Sequence, residues 1–260
     1  MIEKILTKAW NNYKKNFVIL VGSFLVSIIV PGIVVGVVGV VSFLPLILKV
    51  ISLGVENGLK SAISSNALLY LFIPLVIVFT TLLLVSPPFS YGFMHVIKLS
   101  RKRKVKIKMI FDGVKIFWNR AILQQILALI FFSLASVPFI ISFIISAVNY
   151  APLSYTKTMP LGFAVIIFLW SIAMLILGFL FMFWPASIVV YNVGVTEGLK
   201  RGVKKVSSNL LESFVLILVI MLISIAVSAL ESIIPIVPTI LITPLCTSII
   251  IEGCINLKEK

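Results

Sequence analysis

Residues 17–41 read FVILVGSFLVSIIVPGIVVGVVGVV, without one charged side chain. A helix rises about 1.5 Å per residue and a bilayer's hydrocarbon core is about 30 Å thick, so about 20 apolar residues suffice to cross it. The preceding stretch, MIEKILTKAWNNYKKN, carries lysines that imitate the start of a signal peptide. The run that follows far exceeds the apolar region of about 7–15 residues in such a signal, and no small-residue cleavage site ends it. It reads as a permanent first span.

Five further runs meet the same length criterion: 68–96, interrupted by Pro87-Pro88; 121–148; 161–190, with Pro185 near its end; 210–230; and 233–251. The last holds Pro235, Pro238 and Pro244 and is expected to be the weakest helix. Residues 42–54, SFLPLILKVISLG, are too short to cross alone and are expected to lie at the interface or re-enter the bilayer. The totals agree: 61% of the 260 residues are apolar, 12% are charged, and the mean hydropathy is +1.23. A soluble domain carries about 25% charged residues. The expected fold is therefore all-α: a polytopic membrane protein with six transmembrane helices in one integral membrane domain, 1–260.

A net charge of +14 raises the question of nucleic acid. Position answers it. With the amino terminus inside, nineteen of the 22 Lys and Arg residues fall on inner segments, leaving only Lys49, Lys60 and Lys157 outside. Loops on the cytoplasmic side are enriched in Lys and Arg, so both termini are expected in the cytoplasm and the protein in the cytoplasmic (inner) membrane. The densest run, SRKRKVKIKM at 100–109, lies where that rule wants positive charge. Attraction to an anionic leaflet is worth about 1 kcal/mol per basic residue. Arg101, Lys102, Arg103, Lys104, Lys106 and Lys108, with Arg201 and Lys204, are thus expected to contact anionic headgroups or a protein partner; nucleic acid is not expected.

The inner segments before spans one, three and five resemble one another. Ile2, Ile5, Leu6, Ala9, Trp10 and Tyr13 fall at helical spacing opposite Lys4, Lys8, Asn11 and Lys15. Ile107, Ile110, Phe111, Val114, Phe117 and Trp118 oppose Lys108, Asp112, Lys115 and Asn119; Val195, Leu199, Val203 and Val206 oppose Glu197, Arg201, Lys204 and Ser208. One basic and one apolar face mark a helix lying in the interface. Each of these three amphipathic helices ends near an asparagine (Asn16, Asn119, Asn209), a residue suited to the turn and to capping the next helix. Pro88, Pro185 and Pro244 recur toward the inner parts of the even spans, as kinks or as breaks lining a path. An approximate threefold repeat of one interfacial helix plus two spans is expected, with units near 1–98, 99–194 and 195–260.

Chemistry is sparse. No carboxylate sits at mid-bilayer, because Glu212, Glu231 and Glu252 lie near span ends, where each can reach the interface. Asp112 is the sole aspartate and His95 the sole histidine. An intramembrane enzyme would require His95 to meet Ser23 or a glutamate. H-E-x-x-H and G-x-x-x-x-G-K-[ST] are both missing, and Cys246 and Cys254 stand eight apart, outside short metal-ligand spacing. No catalytic residue, metal or cofactor is expected. Gly32 and Gly36 form a small-residue face for helix packing or a homo-oligomer seam. Trp10, Trp118 and Trp184 are expected at the inner interface.

The stretch SPPFSYGFMHVIKLSRKRKVKIKMIFDGVKIFWNRAILQ, 86–124, resembles an uncharacterised prokaryotic family of six-span membrane proteins. In that group a Pro-containing span end and a Gly or Tyr-Gly precede a basic loop and an F-x-G-x-K amphipathic helix. FWPASIVVYNVGVTEGLKRGVKKVSSN, 183–209, is similar to the related element in membrane domains fused to some glycerophosphodiester phosphodiesterases. The resemblance implies six spans with cytoplasmic amphipathic helices. It brings no catalytic residues, since in those enzymes the chemistry belongs to a separate soluble domain. The leading expectation is a non-enzymatic accessory, scaffolding or assembly protein; the alternative is a permease for a lipid or small amphipathic molecule. A cavity at Pro88, Pro185 and Pro244 would favour the permease, and a filled core the accessory role.

Overall fold

The structure is a computed structural model that describes residues 1–57, 68–150 and 161–257. Lys60, Lys157, Lys258 and Lys260, counted in the charge balance, lie outside the described residues. All regular elements among the described residues are helical: α1 (Ile2–Lys15), α2 (Phe17–Leu53), a π-helical turn (Leu68–Phe72), α3 (Ile73–Ser100), α4 (Met109–Tyr150), α5 (Leu161–Phe181), α6 (Trp184–Tyr191), α7 (Val195–Ser208), α8 (Leu210–Glu231) and α9 (Val237–Asn256). Among the described residues, six segments are long and apolar enough to cross a membrane: Phe17–Leu53, Leu69–Ser100, Met109–Ile145, Ala164–Tyr191, Leu210–Glu231 and Val237–Asn256. Their outer faces are apolar, with Leu134 64% exposed, Phe168 65% and Leu222 66%. A surface of that kind is stable only against lipid or another apolar partner.

Two helices run longer than expected. α2 continues unbroken through Pro31 and Pro45, and its 37 residues span about 55 Å. Residues 42–53 are therefore the last turns of α2, not a separate interfacial or re-entrant piece. Each proline removes one donor from the helix, a loss that apolar helices tolerate. α4 likewise passes Asn119 without interruption. From Met109 to Val137 there is no proline, and the single glycine, Gly113, lies in its first turns, so nothing local ends the helix.

At Asn16 and Asn209 the expected break does occur, by one local device. The Asn16 side-chain amide donates to the Asn12 carbonyl at 3.1 Å, and that of Asn209 to the Lys205 carbonyl at 3.0 Å. Helix ends leave carbonyls unpaired, and here the asparagine four residues on supplies the donor. It serves the preceding helix and makes no side-chain cap on α2, contrary to the capping of the next helix expected from the sequence.

The described residues form two compact units. The first contains Ala9–Ile122 and Val227–Ser248. Its core pairs Phe24 with Phe93, ring centroids 5.4 Å apart, and Tyr91 with Phe117 at 6.1 Å. α3 and α4 cross at bare backbone: a Cβ built on Gly113 would lie 2.8 Å from Gly92 Cα. Tyr13 donates its hydroxyl to the Leu241 carbonyl at 2.6 Å, and burial pushes its phenol above the ordinary value, so it remains a donor.

The second unit contains Met1–Lys8, Leu123–Ala226 and Ile249–Lys260. Phe183 and Trp184 are fully buried, and the Trp184 indole N–H donates to the Val195 carbonyl at 2.9 Å. Trp184 is thus core, not an interfacial residue; Trp10 and Trp118 are exposed. α7 lies against α6 because Gly198 and Gly202 present no side chain: a Cβ on Gly202 would come 2.9 Å from the Trp184 nitrogen.

Candidate functional site

The basic connection from α3 to α4 is a shaped segment. Lys102 and Arg103 turn back to the Leu99 carbonyl at 3.0 and 3.1 Å. Residues 104–106 then run without helical structure, and side chains alternate across the chain. Val105 is buried, while Lys104, Lys106 and Lys108 are exposed. Ile107 lies over bare Gly22, where an added Cβ would meet its Cδ1 at 2.7 Å. Val105 therefore pins the segment, Ile107 covers Gly22 while staying partly exposed, and the lysines face out. Asn12 of α1 secures the end of α3 through the Ser100 hydroxyl at 2.9 Å. Lys102 and Arg103 are exposed as well, and Arg101 is half-buried.

In the second unit the expected contact residues behave differently from one another. Lys204 is exposed. Arg201 donates to Glu197 at 2.7 Å and lies over the Tyr191 ring; that hydrogen bond holds the Glu197 carboxyl below its usual range. Lys205, which sequence reading counted only as inner charge, is buried and donates from Nζ to the Leu257 carbonyl at 2.7 Å. The Tyr191 hydroxyl donates to the Cys254 carbonyl at 3.0 Å. The carboxy-terminal end of α9 is thus closed by donors from α6 and α7, with a cation at the negative end of the helix dipole. Glu252 is also buried, not turned to the interface; its carboxylate accepts from Asn256 at 2.9 Å, and Asn256 in turn accepts from Lys8 at 3.0 Å.

The prolines divide. Pro185 opens α6, which packs closely on α7 in the second unit. Pro88 and Pro244 are buried inside α3 and α9 of the first unit, which continue through them, and neither lines the cavity of about 400 Å³ between α2, α3 and α9, contrary to the path expected at these prolines. Ser27 and Pro31 of α2, Ser86 and Ser90 of α3, and Thr243 and Thr247 of α9 line it. Gly32 lines it too, and an added Cβ at Gly32 or Gly36 meets nothing within 4 Å, so neither glycine serves a close helix approach within the described residues. Close approach instead uses Gly92 with Gly113, and Gly198 with Gly202. The second pair was legible as Gly194-x-x-x-Gly198-x-x-x-Gly202. His95 packs on Phe117 at 5.7 Å; its Nδ1 and the Ser23 hydroxyl are each buried without a hydrogen-bond partner among the described residues, and the two do not pair with each other.

These features define the class: an all-helical, multi-pass membrane protein with an exposed basic segment and a hydroxyl-lined cavity. Residues 117–253, just over half of the chain, match the family model described as a domain of unknown function, DUF7847, and the chain belongs to that family. No curated protein and no solved structure matches it.

Proposed function

We propose that this is a non-enzymatic membrane protein of accessory, scaffolding or assembly type, whose basic face docks on anionic lipid or an acidic partner. It sits in the cytoplasmic membrane with both termini in the cytoplasm. The observation that carries the reading is the outward row of Lys102, Arg103, Lys104, Lys106 and Lys108, held by the buried Val105. The reading of a role without catalysis of its own also draws on the resemblance of residues 183–209 to an element of membrane domains fused to some glycerophosphodiester phosphodiesterases. Three related units near 1–98, 99–194 and 195–260 are part of the same reading, supported by the matched junctions at Asn16 and Asn209.

Replacing Lys102, Arg103, Lys104 and Lys106 by Gln should remove about 4 kcal/mol of attraction to an anionic leaflet. Thermal unfolding of the full-length protein in nanodiscs of anionic or zwitterionic lipid checks this. Wild type gains stability from anionic lipid and the quadruple variant loses most of that gain; an equal gain in both proteins overturns the docking role. The cavity that α2, α3 and α9 line with serine and threonine favours a second reading, a permease for a lipid or small amphipathic molecule.

A further inference from the structure

We infer that the cavity of the first unit is a binding site for the polar end of an uncharged amphiphile, one that brings hydroxyl or amide donors. The inference rests on the second reading above and names its ligand class. Depth comes first. At about 1.5 Å per residue, Ser27 lies about 15 Å along α2 from Phe17, Ser90 about 15 Å along α3 from Ser100, and Thr247 about 14 Å along α9 from Asn256. Ser86 and Thr243 lie one turn further. Three helices therefore bring Ser27, Ser90 and Thr247 to one level, about midway through a hydrocarbon core of about 30 Å, with the other two hydroxyls a turn beyond. In that environment a polar cluster is costly unless something pairs with it.

The polarity of the wall sets the ligand. Ser27 donates its proton to the Phe24 carbonyl at 2.6 Å, Ser90 to the Ser86 carbonyl at 3.3 Å, and Thr247 to the Thr243 carbonyl at 2.9 Å. Their protons are committed to their own helices, and the remaining lone pairs are acceptors. Pro31, with no N–H, adds to this by giving the Ser27 carbonyl no helical donor. The polar part of this mostly apolar wall therefore accepts, and it takes a ligand head that donates.

Charge narrows the class. No charged side chain lines the cavity. An anion would enter desolvated and unpaired, and a cation would enter without a carboxylate, against a protein of net charge +14. An uncharged head meets neither penalty. The volume, at about 30 Å³ per water equivalent, holds a head of about a dozen heavy atoms and not a whole lipid. Phe24 and Phe93 supply the apolar wall for the first carbons of the tail.

The test uses full-length protein in detergent, titrated with dioctanoylglycerol and read by native mass spectrometry. Saturable, one-to-one binding is expected, weakened about tenfold or more in Thr243→Val/Thr247→Val, which keeps shape and removes two acceptors. Gly32→Leu, where an added Cβ meets nothing, should fold normally and block binding by occupancy. Dioctanoylphosphatidylglycerol, the charged counterpart, should bind this site at least tenfold more weakly. Equal affinity of wild type and the double valine variant, or of the neutral and charged probes, overturns the site. Binding without flux of the glyceride in reconstituted vesicles keeps the site and overturns only the permease reading.

Discussion

Gly113→Ala should cost about 3 kcal/mol and Gly92→Ala as much, large losses for a single methyl group. The new Cβ of Gly113 would lie 2.8 Å from Gly92 Cα and 2.8 Å from His95 Cβ; that of Gly92 would lie 2.5 Å from the Ile110 carbonyl oxygen. These neighbours include backbone atoms, which cannot rotate away as a flexible side chain can, so α3 and α4 must separate. The two substitutions relieve or aggravate one crossing, and their effects will not add. Gly36→Ala is the control: nothing lies within 4 Å of its Cβ, and alanine is the better helix former by about 1 kcal/mol. Thermal unfolding in a mild detergent should rank the three proteins, with Gly36→Ala at or above wild type. A Gly113→Ala protein as stable as wild type would show that the helices do not cross there.

Lys205→Met is the second large loss, expected at about 1.5–3 kcal/mol for a hydrogen bond to a charged donor. Methionine preserves an unbranched, flexible stem and removes the ammonium. The Leu257 carbonyl, which Lys205 serves at 2.7 Å, is then left to a buried apolar neighbour, and the α9 dipole loses a cation at its negative end. Lys204→Met, one residue away and exposed, should shift stability by less than about 0.5 kcal/mol. Equal midpoints for the two variants would mean that the ammonium does not cap α9.

The six apolar segments were legible because hydrocarbon imposes one length on every crossing helix, and runs such as 17–41 and 210–230 advertise it. The starts of α2 and α8 were legible too, through Asn16 and Asn209. Helix ends near proline were not. Pro31 and Pro45 look like punctuation in the sequence, yet α2 absorbs both, since losing one donor does not end a helix whose other bonds stay dry. Asn119 matched its counterparts in type but stands exposed on a continuous helix.

The buried positions of Lys205, Glu252 and Trp184 depend on which helices meet, and no periodicity within one segment carries that information. The hydroxyls of the cavity were likewise scattered over three distant segments. Each alone reads as a serine or threonine returning its proton to its own helix; only the packing brings them to one cavity.

The length of α2 has a mechanical consequence. About 55 Å of helix, apolar almost throughout, faces a hydrocarbon slab of about 30 Å. Tilts of up to about 40° shorten its reach to about 42 Å, so leaning alone does not hide it. The surplus must be met by stretching the lipid chains nearby or by carrying the last turns out among the headgroups. Membrane thickness thereby becomes a variable in the protein's free energy, at a fraction of a kcal/mol per ångström. Thick, ordered regions of membrane should draw this protein in, and thin ones should force α2 to lean further.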